Sequence, residues 1–114
     1  MAWSIAGVVW WHFPVALLVG AILINGIPHF VQGLCGHQFP TPFSGGPGTL
    51  DTAVRNVLWG SANFVIGALL LWAVAGSFAA PALWLAVAIG GLGGALFTAY
   101  IFSHPPEMPG RPRR

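Results

Sequence analysis

Residues 57–75 read VLWGSANFVIGALLLWAVA, and no side chain in this stretch is charged. Its polar residues are Ser61 and Asn63. The hydrocarbon core of a bilayer is about 30 Å thick, and roughly 20 apolar helical residues cross it. The stretch therefore predicts a transmembrane helix, and with it an integral membrane protein.

A second stretch, residues 81–102, has the same apolar character, with Thr98 and Tyr100 as its polar residues. Pro81 suits the start of a helix, because the N–H that proline lacks would have no partner there. This stretch predicts another span, and the short connection at 76–80 predicts that it runs antiparallel to its predecessor as a neighbour.

The first apolar stretch, residues 5–34, is less simple, because a helix of that length would measure about 45 Å. We expect the span to begin with Pro14 in its first turn, so that the preceding tryptophans lie at the membrane interface. The alternative is a span over residues 4–25 that breaks at 26–28, where a proline interrupts the pattern.

Together these stretches predict an all-α integral membrane protein with three transmembrane helices in a single membrane domain. Either Asp51 or Thr52 would cap the second span, and Asp51 and Arg55 would form an opposite-charge pair. The expected segments are an interfacial segment at 2–12, spans at about 13–34, 54–76 and 81–103, a Gly/Pro-rich loop at 35–53 and a Pro/Arg tail at 104–114.

Charge is scarce in this chain of 114 residues: 5% of them are charged, against roughly 25% in soluble domains. The mean hydropathy is +0.78. These values exclude a soluble domain, a disordered chain and a nucleic-acid-binding protein, which needs a basic patch. The four arginines are Arg55, at the start of the second span, and Arg111, Arg113 and Arg114 in the tail.

The placement of these arginines predicts the topology. Positive residues favour the cytoplasmic side, so the long loop and the C-terminus should be cytoplasmic and the N-terminus outside. No basic segment precedes the first apolar stretch, so we expect no cleaved signal peptide.

Small and polar residues mark the faces on which the helices should pack. The second span carries them at i, i+4, i+7 and i+11, and the third span has a small-xxx-small pair. The residues are Asn56, Gly60, Asn63, Gly67, Gly90 and Gly94. These faces predict a three-helix bundle; alternatively, the glycine face of the third span binds another subunit or a flat apolar ligand such as a carotenoid, quinone or tetrapyrrole.

The loop and the tail are candidate contact segments. Phe39, Pro40, Pro42 and Phe43 make the loop apolar as well as irregular, which indicates an interfacial connection or a docking loop for a partner. The tail arginines would contact anionic lipid headgroups or a neighbouring subunit.

Histidines are the candidate cofactor ligands. His29 and His104 should lie near the cytoplasmic interface, and His12 near the other one. A neutral imidazole can be an axial ligand to haem iron or to the magnesium of a chlorin, so His29 and His104 could hold a bis-histidine haem. Alternatively, these side chains simply hydrogen-bond to headgroups, water or loop carbonyls. No metal-ligand spacing is present, so no metal site is predicted.

Catalytic groups are not expected. Asp51 and Glu107 lie outside the spans, and Cys35 is the single cysteine. Without a positioned acid, base or nucleophile, we expect that the chain is not an enzyme. Spans without a carboxylate also weigh against ion-coupled transport, although a homo-oligomeric carrier of small solutes stays an alternative.

Part of the chain resembles small, uncharacterised bacterial multi-pass inner-membrane proteins. The resemblance covers roughly residues 20–72 and rests on NGIPHF at 25–30, Gly33, FPTPF at 39–43 and VRNVLWG at 54–60. It implies a bacterial inner-membrane location and assigns no catalytic residue.

The expected function is that of a non-catalytic accessory subunit in a larger bacterial membrane complex of the respiratory or photosynthetic type. Its partners would be membrane lipids and other integral membrane subunits, not nucleic acid. The alternatives are a haem-, (bacterio)chlorophyll- or carotenoid-binding membrane protein that uses histidine ligands, and the small-solute carrier. No cofactor is required; haem, a chlorophyll-type pigment, a carotenoid or a quinone are the candidates.

Overall fold

A computed structural model describes residues 8–45, 49–77 and 79–104. Within these ranges the chain is helical: α1 is His12–Leu34, α2 is Ala53–Ala73 and α3 is Pro81–Ser103, with a short 3-10 turn at Ala75–Ser77. Each long helix is apolar enough and long enough to cross a membrane. The prediction of an all-α chain with three span-length helices is thereby confirmed. Residues 2–7 of the expected interfacial segment, and the tail from 105 onward with Arg111, Arg113 and Arg114, lie outside the described residues.

The first helix is continuous across both of its prolines. It begins at His12, so Pro14 lies in its first turn, as expected, although not at its first position. Pro28 lies inside the helix without ending it, and the alternative break at 26–28 is not observed. After Leu34 the chain leaves the helix through Gly36, whose φ of 76° is a conformation that glycine adopts without strain.

The second and third helices start at the capping and proline residues that the sequence predicts. Thr52 is the N-cap of α2, and its hydroxyl accepts a hydrogen bond from the Arg55 N–H at 3.2 Å. The predicted ion pair is confirmed, with Arg55 Nε 3.3 Å from Asp51 Oδ1. Pro81 occupies the first turn of α3, where its missing N–H leaves no gap in the helix.

The first helix lies between the other two. It packs along both α2 and α3, whereas α2 and α3 barely contact each other. The expectation that the second and third spans pack against each other as neighbours is wrong. The physical reason is that the small-residue faces of α2 and α3 both turn toward α1, and close backbone approach is what holds helices together in a membrane.

Glycines set the distance between α1 and α2. A Cβ at Gly60 would lie 2.7 Å from the backbone nitrogen of Phe30 and 2.8 Å from the carbonyl oxygen of Gly26. A Cβ at Gly67 would lie 2.5 Å from Leu23 Cδ2. As the residue numbers of these contacts increase along α1, they decrease along α2, so the two helices are antiparallel.

The seam between α1 and α3 is equally close. A Cβ at Gly90 would collide with the backbone of Leu17, and one at Gly94 would lie 3.2 Å from Ala21 Cα. The residue numbers of these contacts increase in the same direction along both helices, so α1 and α3 are parallel. Gly93, by contrast, has nothing within 4 Å of the position of a Cβ.

Gly90→Ala should destabilise the protein because the added methyl meets backbone that cannot rotate away. We expect a loss of about 1–3 kcal/mol in the free energy of unfolding, typical of overpacking. Gly93→Ala is the matched control: it adds the same methyl to the same helix in open space and should cause no loss. Equilibrium unfolding in detergent measures both variants, and equal stabilities would contradict this account of the seam.

Candidate functional site

Polar side chains meet at the seam between α1 and α2. Asn25 Nδ2 donates to Asn63 Oδ1 at 3.1 Å, and one turn further along α1 His29 Nδ1 lies 2.9 Å from Asn56 Oδ1. His29, Asn56 and Asn63 are 6%, 0% and 5% exposed. Buried polar groups are costly unless they are paired, and these pairs lie on the faces where the helices touch.

Asn56 joins three parts of the chain. Its Nδ2 donates to the carbonyl of Phe39 at 2.8 Å and to that of Thr52 at 3.0 Å. An amide nitrogen surrounded by carbonyls must be the donor, so Oδ1 is the acceptor toward His29. One buried amide therefore connects α1, the loop and the start of α2.

The same network places a proton on one ring nitrogen of His29. Because Asn56 Oδ1 accepts, Nδ1 of His29 carries the proton and donates it. A neutral imidazole in this tautomer leaves Nε2 with a free lone pair. Nε2 has no hydrogen-bond partner among the described residues, and it is not among their fully enclosed atoms.

The loop is closed on itself by backbone and side-chain bonds. Phe39 and Asp51 exchange two backbone hydrogen bonds, at 3.3 and 3.0 Å. The carboxylate of Asp51 accepts from the Thr41 hydroxyl at 2.5 Å and from the Thr52 N–H at 2.9 Å. These contacts turn a Gly/Pro-rich segment into a defined structure, which we call the loop clasp (residues 39–41 and 51–52).

Hydrogen bonding lowers the pKa of Asp51 below its usual range. The Thr41 hydroxyl has the largest effect, and the Thr52 N–H and the Arg55 guanidinium act in the same direction, while burial opposes them. The carboxylate is therefore charged at neutral pH, and its charge holds the loop clasp together.

The two phenylalanines of the predicted docking loop have different positions. Phe39 is half-buried, with its ring 5.2 Å from that of His29 and 4.7 Å from that of Phe102, so it anchors the loop to the helices. Phe43 is 61% exposed and lies edge-to-face on Trp59 at 5.2 Å. Pro40 is half-buried and Pro42 is exposed.

The histidines expected to act as ligands have separate surroundings. His104 is exposed, stacks on Tyr100 at 4.4 Å, and its Nδ1 lies 3.0 Å from the Tyr100 carbonyl. His12 lies edge-on to Trp11 at the opposite end of α1, about 25 Å from His29 by helix rise. In the described part of the chain no hydrogen bond or ring contact joins His29 to His104, and no three His, Cys, Asp or Glu residues cluster as a metal site.

An open groove of about 220 Å³ lies on the other side of α2. It is lined by Phe43, Asp51, Arg55, Leu58, Trp59 and Ala62. The indole Nε1 of Trp59 is enclosed and has no hydrogen-bond partner in the described residues. Sequence reasoning missed this groove, although Arg55, Leu58 and Ala62 share one face of α2 and Asp51 precedes that helix.

Comparison with known proteins adds no family. No protein-family model matches the chain, and no curated protein or solved structure is significantly similar to it. The resemblance to small bacterial multi-pass membrane proteins stays a prediction.

The loop clasp should open as the pH falls. The pKa of Asp51 is lowered in the folded state, so its stabilisation is complete above about pH 4 and is lost as the pH falls through the folded-state pKa. Protection of the Phe39 and Asp51 amides against hydrogen exchange, corrected for intrinsic rates, should decrease over that range.

Thr41→Val tests the assigned cause. It removes the donor with the largest effect, so protection at neutral pH should be lower and its loss should begin at a higher pH. The Leu18 amide in α1 is the internal control and should not respond. A titration of Thr41→Val that coincides with that of the unaltered protein would contradict the role given to Thr41.

Proposed function

We propose that this chain is a non-catalytic small subunit of a larger assembly in the bacterial inner membrane, of the respiratory or photosynthetic type. The observation that carries the proposal is how the buried polar groups are used. The enclosed indole N–H of Trp59 is an exception among the polar atoms, but the five polar residues that are buried in the described part of the chain are each hydrogen-bonded within it: His29, Thr41, Asp51, Asn56 and Asn63. They join helices to one another and to the loop, whereas catalysis needs groups that converge on a reacting atom.

The outer face of α3 supports an assembly role. This face carries large apolar side chains that are each more than half exposed: Leu85, Ile89, Leu92, Leu96 and Phe97. Among them Gly93 forms a notch, with Ile89 and Phe97 one turn away on either side. A small residue between bulky ones lets a neighbouring helix approach closely, which favours a helix of another subunit at this position.

The proposed orientation has the loop and the C-terminus in the cytoplasm and the N-terminus outside. Its support is the charge distribution: Arg55 starts α2, and the remaining arginines follow α3 in the chain. Three spans place these two positions on one side, where positive residues are retained.

Purification in mild detergent followed by native mass measurement tests the assembly. We expect a complex with at least one other membrane protein. Gly93→Leu should fill the notch and release that partner without unfolding the chain, because nothing lies within 4 Å of the new side chain's Cβ. Ala88→Leu, exposed on another part of α3, should leave the complex intact. A stable monomer without a co-purifying protein would refute the proposal.

A second candidate function, binding of a magnesium chlorin or haem, is favoured by His29. Metal-ligating histidines usually donate their other ring N–H to a fixed acceptor, and Asn56 accepts from His29 in this way. The fit is limited, however. The rings of Phe39 and Trp59 lie 5.2 and 6.5 Å from the imidazole, and a macrocycle over Nε2 needs space beside them. The geometry favours a single axial ligand over a bis-histidine haem.

An absorption spectrum of the protein from native membranes decides this second candidate. A Soret or Qy band that is lost in His29→Leu and retained in His104→Leu is the expected result if His29 is the ligand. The absence of any such band from the unaltered protein would eliminate pigment and haem binding together.

A further inference from the structure

The groove beside α2 combines a charged end with an apolar floor. Arg55 is at the first turn of the helix, Leu58 and Trp59 are about one turn further, and Ala62 follows one turn beyond that. At 1.5 Å per residue, the distance from Arg55 to Ala62 along the helix is about 10 Å. The groove thus runs from the end of a span-length helix toward its middle, and its polarity falls along the way.

Arg55 supplies the positive charge at the open end, and its contact with Asp51 leaves other N–H donors available. The side chain of Arg55 is 58% exposed, and its contact with Asp51 is made through Nε. A guanidinium has five N–H donors, so donors remain for a phosphate. Asp51 also lines the groove, but it is 4% exposed and its oxygens already accept from Thr41 and Thr52.

The size of the groove and the unpaired indole N–H of Trp59, one of its lining residues, narrow the choice of ligand. About 220 Å³ is less than the roughly 300–1,000 Å³ of pockets that enclose a compact ligand, and the groove is open along its length. It suits a segment of a chain-like molecule. Trp59 Nε1 has no acceptor within the described residues, and an unpaired enclosed donor is a cost that an acceptor oxygen would relieve.

We propose that this groove is a binding site for one anionic phospholipid. The phosphate lies at the Arg55 guanidinium, and the ester carbonyls lie about one turn deeper, at the level of Trp59. An acyl chain follows Phe43, Leu58 and Ala62. Phe43, exposed and held edge-on to Trp59, is the movable wall that lets the ester group reach the indole N–H.

Titration of the delipidated full-length protein with lipid tests the site. Phosphatidylglycerol and phosphatidylcholine with identical acyl chains are added in detergent, and native mass spectrometry counts the lipids bound. Replacing Arg111, Arg113 and Arg114 by Gln in every sample removes the other arginines of the chain. We expect the first phosphatidylglycerol to bind about fivefold more tightly than phosphatidylcholine, as one arginine near a membrane surface provides.

Two pairs of variants separate charge from shape. Arg55→Gln should abolish the preference for phosphatidylglycerol, while Arg55→Lys should retain it. Ala62→Phe should block the acyl path and weaken binding several-fold, while Ala68→Phe, exposed elsewhere on α2, should not. Equal affinity for the two lipids, or a preference that survives Arg55→Gln, would overturn the proposal. A protein helix rather than a lipid recovered in the groove would do so too.

Discussion

Close approach of α1 to both of its neighbours is the constraint on which the structure depends. Apolar helices gain little from the hydrophobic effect inside a bilayer, since lipid tails are as apolar as leucine. Gly60 and Gly90 let the backbones of α2 and α3 reach that of α1, and side chains at those positions would meet backbone atoms. The central place of α1 therefore follows from where the glycines lie on the flanking helices.

Glycine contacts bring helices together, but they set the axial position of one helix against the other only through the fit of their surfaces. At the seam between α1 and α2, hydrogen bonds add direction: Asn25 meets Asn63 and His29 meets Asn56. A slip of one turn would break both of these pairs and leave at least two of the four buried groups without a partner, which is costly in apolar surroundings. Asn56 extends this register to the loop, because its amide also holds the carbonyl of Phe39.

The predictable part of the fold is the part that one helix determines by itself. Length and hydropathy identify the spans, and periodicity places Asn56, Gly60, Asn63 and Gly67 on one face, all of which are buried. Such a face does not specify which helix packs against it, because a small-residue surface fits any helix of complementary shape. The position of α1 between α2 and α3 was accordingly not predictable from these patterns.

Hydrogen bonds between residues far apart in the sequence were even harder to predict. His29 and Asn56 were each recognisable as polar groups near the ends of predicted spans, but their bond depends on the antiparallel register of α1 and α2. Thr52 and Asp51 are both good N-caps, and the hydrogen bonds that Asp51 makes with Thr41 and Thr52 decided between them. The sequence does not mark Trp59 as a groove residue, because an aromatic residue in a span is usually explained by lipid contact.

Trp59 links the packed side of α2 to its open side. Its carbonyl accepts from Asn63 Nδ2 at 2.9 Å, and its ring lies near the imidazole of His29, both of which belong to the seam with α1. The same residue also lines the groove, and its indole N–H is enclosed without a partner in the described residues. The wall that a lipid would contact is thus fixed by the interactions that hold α1 to α2. Trp59 therefore connects the proposed lipid site to the seam between α1 and α2, at the end of the molecule where the loop clasp also lies.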